Sequence, residues 1–192
     1  MAKKKSNLLF YLFLLLAIVA AGVGIASIML PAFTTTLTVG SQKFTTDANV
    51  LSFLFGQGTL NFSLNDGDPI TTTLTGGISY LVLGAFIALC LGTLLLIVVL
   101  FSKSKGLAVV AALLLIAGGV SIFFFRELGA PITAVADNPI LKILINFQNI
   151  EYADFWKAMG GDNVVLGIGT IVFGAGACAS GLFTLIAAIC KR

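Results

Sequence analysis

Four uncharged apolar runs dominate the hydrophobic pattern of this chain: Leu8 to Leu30, Ile78 to Phe101, Leu107 to Phe125 and Val164 to Cys190. A helix needs roughly 20 apolar residues to cross a hydrocarbon core of about 30 Å, and each run has about that length. The pattern therefore predicts four membrane-spanning helices, at about 8–30, 78–101, 107–125 and 164–190, separated by outer loops at about 31–77 and 126–163. The second and third runs are joined only by Ser102-Lys103-Ser104-Lys105-Gly106 and read as a helical hairpin.

Between the first two runs the period changes from uniform apolarity to alternation. Phe33, Thr35, Leu37 and Val39 alternate with threonines, Gly40-Ser41 supplies a turn, and Gln42 to Thr46 returns as a second strand. Leu60, Phe62 and Leu64 alternate with Asn61 and Ser63, Asn65-Asp66-Gly67-Asp68 turns the chain, and Ile70, Thr72 and Leu74 alternate again. Asp47 is placed to cap a short helix carrying Val50, Leu51, Phe53, Leu54 and Phe55, expected on the sheet or at the membrane surface. One isolated hairpin is only marginally stable, so a β-rich cap of about four strands is expected. In the second loop, Asn138-Pro139 starts a helix with Ile140, Leu144 and Phe147 on one stripe. Tyr152, Phe155, Trp156 and Met159 fall together on a second helical stripe, and Gly160-Gly161-Asp162-Asn163 ends it.

Composition agrees with this picture. Apolar residues make up 58% of the 192 and charged residues only 10%, against roughly a quarter charged in a soluble domain. Charge distribution adds orientation. Seven basic residues and no acid fall in the amino-terminal tail (Lys3, Lys4, Lys5), the connector (Lys103, Lys105) and the carboxyl terminus (Lys191, Arg192). All eight acids and the other four basic residues fall in the two outer loops. By the positive-inside rule the termini and connector are cytoplasmic and the loops extracytoplasmic, in a multi-pass protein of the plasma membrane. The apolar run after Lys3–Lys5 exceeds the roughly 7–15 residues of a signal-peptide core, so an uncleaved anchor is expected.

Small residues mark the helix-packing positions. Ala20 with Gly24, and Gly22 with Ala26, lie one turn apart in the first run. In the last, Thr170, Gly174 and Cys178 form one nearly smooth face and Ala177 with Gly181 another, with the neighbour in this chain or in a second copy. Phe53, Phe55, Tyr152, Phe155, Trp156 and Met159 are the candidates for a partner-binding or membrane-interface surface.

The chemistry that the chain omits narrows its function. There is no histidine, no phosphate-binding glycine loop, no nucleophile elbow and no Asp, Glu, Lys or Arg within a predicted span, which disfavours an enzyme or an ion-coupled transporter. No cofactor, metal or nucleic acid is expected. Asn65, Asp66 and Asp68 read as a turn because they lack the other carboxylates of a calcium loop. Asn61-Phe62-Ser63 is a glycosylation sequon, and Cys190 at the membrane border is open to acylation. Cys90 and Cys178 lie within spans and no cysteine in an outer loop, so no disulfide is expected to staple the cap. Thr93, Ser121, Thr170, Ser180 and Thr184 are the hydroxyls available to line a pore.

Four spans, a larger strand-rich first loop with a short helix, a smaller second loop and a short inner turn together resemble the claudin and peripheral-myelin-type tetraspan architecture. The first loop has neither the Trp nor the Cys pair of claudins, so the resemblance is one of topology and carries over no functional residue. The fold expected is thus an all-α transmembrane four-helix bundle with a small extracytoplasmic β-rich cap. The function expected is non-enzymatic assembly or adhesion through the outer loops, as a self-associating scaffold or an accessory subunit of a membrane complex. Partners would be the bilayer and further copies or other membrane proteins. A subunit of an oligomeric channel is the alternative, and a lipid-handling protein a weaker one.

Overall fold

A computed structural model describes residues 2–39, 42–65, 67, 68, 70–76, 78–124, 132–134 and 164–191. Among them are five α-helices: α1 (Ala2–Ala26), α2 (Val50–Phe55), α3 (Tyr80–Ser102), α4 (Lys105–Ser121) and α5 (Ile168–Cys190). Short 3-10 turns continue α1 at Ser27–Met29 and α4 at Ile122–Phe124. Six strands form one antiparallel sheet: β1 (Pro31–Val39), β2 (Gln42–Asn49), β3 (Gln57–Leu64), β4 (Ile70–Gly76), β5 (Ile132–Ala134) and β6 (Val164–Leu166). Four helical stretches are long and apolar enough to cross a membrane, Leu8–Met29, Tyr80–Ser102, Lys105–Phe124 and Ile168–Cys190, which fits a four-span architecture. The chain divides into a helical unit (Met1–Ala26, Gly84–Ile122, Val172–Arg192) and a sheet unit (Ser27–Leu83, Phe123–Ile171).

The helical unit is held together by small residues. Ala17, Ala21, Ala108, Ala111, Ala112 and Ala177 are fully buried beside Leu14, Leu89, Leu96, Leu115 and Phe173. Its outward side chains are apolar too, Leu15, Leu94, Leu113 and Leu182 among them. The α3–α4 connector is tighter than the sequence suggests, only Lys103 and Ser104. Ser104 accounts for this: its hydroxyl accepts the Leu107 N–H at 3.4 Å, which draws Lys105 and Gly106 into the first turn of α4. Lys103 takes the left-handed conformation (φ 53°) and its N–H donates to the Val99 carbonyl at 2.8 Å, closing α3.

In the sheet unit the strand order is β5-β4-β3-β2-β1-β6. The alternating segments of the first loop supply the four central strands, as expected. Two strands exceed the expected four, one from the second loop and one from the start of the expected last span. Val164–Leu166 was expected to open the last span, yet it pairs with Phe33–Thr35 of β1. A uniformly apolar tripeptide carries no period, so it blends with the helix that follows. Gly167 separates the two: a Cβ there would strike the Pro31 carbonyl oxygen, and its N–H donates to the Ala32 carbonyl at 2.8 Å.

Helix α2 is capped otherwise than expected. Asn49 occupies the N-cap position, with no side-chain cap bond, while Asp47 belongs to β2 and pairs with Thr34 and Asn61. Gly56 ends the helix in the left-handed conformation (φ 67°). The Val50 N–H donates to the Leu30 carbonyl at 3.2 Å and the Ser79 N–H to the Phe53 carbonyl at 2.9 Å. These two bonds tie α2 to the residue after one candidate span and the residue before the next. The second-loop helices expected from Asn138 to Met159, with Tyr152, Phe155, Trp156 and Met159, and the residues Gly40, Ser41, Asp66, Arg126, Glu127 and Arg192 lie outside the described residues.

Candidate functional site: a polar sheet face and the packing positions

Strand register gathers the chemistry of the sheet unit. Thr34 on β1, Asp47 on β2, Asn61 on β3 and Thr71 on β4 are consecutive cross-strand partners, with Val165 of β6 opposite Thr34. Direct partners share a face, so these four polar residues form one row. Two residues along β2, Thr45 pairs with Ser63 and adds a second row on the same face. The Thr71 hydroxyl donates to Asn61 Oδ1 at 3.3 Å. Asp47 Oδ1 and Thr45 Oγ1 are shielded from solvent and have no hydrogen-bond partner. Most buried polar atoms in folded proteins are paired, and one left without a partner costs about 1–3 kcal/mol. Two such atoms on adjacent positions of one face make this the chemically unsatisfied part of the described protein. Asp47 Oδ1 as a carboxylate oxygen can only accept, whereas the Thr45 hydroxyl can accept or donate. Sequence alternation placed these residues on strands, but only register could bring Thr34, Asp47, Asn61 and Thr71 into a row.

The candidate interface aromatics separate. Phe53 is buried at 1% exposure, its ring edge-on to Phe33 with centroids 5.4 Å apart, so it is core rather than surface. Phe55, two residues on, remains 63% exposed. The helical turn points them apart, which the apolar count of Val50 to Phe55 could not reveal.

The packing positions also sort by neighbour. Within the helical unit, Gly24 faces Leu89 of α3 and the Phe173 carbonyl and Ala177 of α5 at 3.4–3.6 Å from where a Cβ would stand. Gly176 of α5 lies against the Ala20 carbonyl and Gly24, at 2.9–3.1 Å on the same measure. On another side of α5, Gly174 and Cys178 meet Gly119 of α4, and Gly181 meets Ala112 and Ile116. The close neighbours of α5 at these positions are thus α1 and α4 of this chain. Gly22 has nothing within 4 Å of a Cβ position. Thr170 serves differently from a packing residue: its hydroxyl donates to the Ala32 carbonyl at 2.6 Å, in the sheet unit. Gly92, Gly118 and Gly119 are further packing positions, and the Gly118-Gly119 pair in mid-span is the sequence signal for them.

The five hydroxyls considered for a pore, Thr93, Ser121, Thr170, Ser180 and Thr184, all donate to carbonyl oxygens. Thr93 bonds Leu89, Ser121 bonds Gly118 and Thr184 bonds Ser180, each on its own helix, while Ser180 reaches Ala17 of α1 at 2.7 Å. With Thr170 on Ala32, each of these five hydroxyl protons has a carbonyl acceptor within the fold. No protein-family model matches the chain, and no curated protein matches it either.

Proposed function

We propose that the chain is a non-enzymatic four-span protein of the plasma membrane that assembles through its sheet unit, as a self-associating scaffold or an accessory subunit of a larger membrane complex. The observation that carries this reading is the pair of shielded, unpartnered polar atoms, Asp47 Oδ1 and Thr45 Oγ1, on a sheet face of polar residues. A partner whose docking opens this face and pairs both atoms removes a penalty that the isolated chain bears. The exposed Phe55 offers an apolar contact in the same unit. A claudin-like or peripheral-myelin-like arrangement is supported by four spans and a sheet built from both loops, with no matching family behind it. The charge distribution supports cytoplasmic termini and extracytoplasmic loops.

Native mass measurement of the detergent-solubilised protein tests the assembly. A species heavier than the monomer, reduced by Thr34→Lys or Asp47→Ala, is the expected result. A monomer that recruits nothing from its own membrane would refute the reading, and a closed ring with an axial opening would favour the channel alternative. Labelling of Thr59→Cys by an impermeant maleimide tests the topology, and reaction only from the cytoplasmic side would overturn it.

A further inference from the structure

The helical unit contains no Asp or Glu at all, whereas all seven basic residues of the termini and connector belong to it. Two of these lysines lie over adjacent rings of α1. Lys103 Nζ lies over the Tyr11 ring, 5.7 Å from its centroid, and Lys191 Nζ lies 5.9 Å from the centroid of Phe10. Phe10 and Tyr11 are adjacent on α1, with centroids 5.3 Å apart. The connector and the residue that follows α5 therefore converge on the first half of α1. Lys103 does so from a left-handed backbone position, where a non-glycine residue is disfavoured by about 1–2 kcal/mol and glycine is the usual occupant. The side chain kept there is a cation held against an aromatic face.

We infer that Lys103, Lys191 and the Tyr11 hydroxyl form a headgroup site for an anionic phospholipid. A ring face engages one side of an ammonium and leaves N–H donors for phosphodiester oxygens, and the unit has no Asp or Glu side chain to compete. The surroundings fit a lipid rather than a free anion. Leu8, Leu12, Phe101 and Ile189, close in sequence to the three polar residues, are all exposed, at 70%, 48%, 78% and 79%. An amphiphile meets cations and apolar surface together, and inorganic phosphate meets only the first. The site is independent of the sheet face and of any assembly through it.

The test is native mass spectrometry of the full-length, delipidated protein with phosphatidylglycerol or phosphatidylcholine of matched acyl chains. Phosphatidylglycerol is expected to bind preferentially, and Lys103→Gln with Lys191→Gln to weaken it about thirtyfold, at about 1 kcal/mol for each lysine near a lipid surface. Lys3→Gln, Lys4→Gln and Lys5→Gln together are expected to weaken it less than that pair. Should Lys103→Gln fail to fold, Lys191→Gln alone decides, with about a fivefold loss expected and no loss refuting the site. Equal retention of the two lipids, a larger loss from the tail variant, or displacement by equimolar inorganic phosphate would each overturn the inference.

Discussion

The helical unit and the sheet unit solve the same problem, satisfying polar groups away from water, to different degrees. In the helical unit Ser180 and Thr184 are buried and each donates to a carbonyl, and Gly24, Gly119, Gly176 and Gly181 bring backbones together. In the sheet unit Asp47 Oδ1 and Thr45 Oγ1 are shielded without partners and Phe55 projects outward. Backbone and hydroxyl satisfaction within apolar surroundings leaves a helix bundle little to offer a partner beyond its outer apolar surface. A sheet with one incompletely satisfied face still has something to offer. The comparison separates a unit built to be finished from one built to be completed.

The contrast is broken most severely by overpacking the finished unit. A Cβ at Gly119 would stand 2.7 Å from Cys178 Sγ and 2.8 Å from the Gly174 carbonyl oxygen, so Gly119→Leu is expected to destabilise the protein by about 3 kcal/mol or more. A large fall in the thermal midpoint in detergent, or failure to purify a folded chain, is the reading. Phe53→Ala attacks the other unit, opening a cavity beside Phe33 at a cost of about 3–5 kcal/mol. Hydrogen exchange should then rise in β1, α2 and β3 and stay low in α4 and α5. Equal loss of protection in both units would show that they do not unfold separately.

Smaller effects are expected at single hydroxyls and at the exposed aromatic. Thr170→Val keeps the shape and removes one of two donors to the Ala32 carbonyl, for an expected loss of about 1 kcal/mol in chemical denaturation. Thr45→Val should do the opposite, stabilising the isolated chain by about 1 kcal/mol by removing a shielded hydroxyl that has no partner. If Thr45→Val stabilises the monomer and also weakens assembly, the sheet face is an interface; destabilisation would show that the hydroxyl already has a partner. Phe55→Ser is the smallest, within about 0.5 kcal/mol for an exposed side chain, and any effect should fall on association.

Long uniform patterns were the legible part of this fold. Twenty-residue apolar runs yielded four candidate spans, and the threonine alternation of Thr34 to Val39 and Leu60 to Leu74 yielded the four central strands. Three-residue strands escaped, because Ile132–Ala134 and Val164–Leu166 are shorter than the periods that identify an element. The polar row escaped for another reason. Thr34, Asp47, Asn61 and Thr71 are 10 to 14 residues apart, and pairing register, a property of four strands together, brings them side by side. At the helix contacts, composition told that glycine mattered but not which neighbour it met: Gly22 and Gly24 are two residues apart, and only Gly24 lies against other helices.

The Ala32 carbonyl, held by the Gly167 N–H and the Thr170 hydroxyl, also sets an order of events during synthesis. Thr170 lies 138 residues after its acceptor, so at roughly 5–20 residues per second the ribosome needs about 7–28 s to deliver the donor. Through that interval β1 waits without β6 along Phe33 to Thr35, an uncharged strand edge open to pairing with another nascent chain. Synthesis slowed between the third and fourth spans should therefore increase aggregation, and a chain truncated before Gly167 should be degraded sooner than one truncated after Cys190.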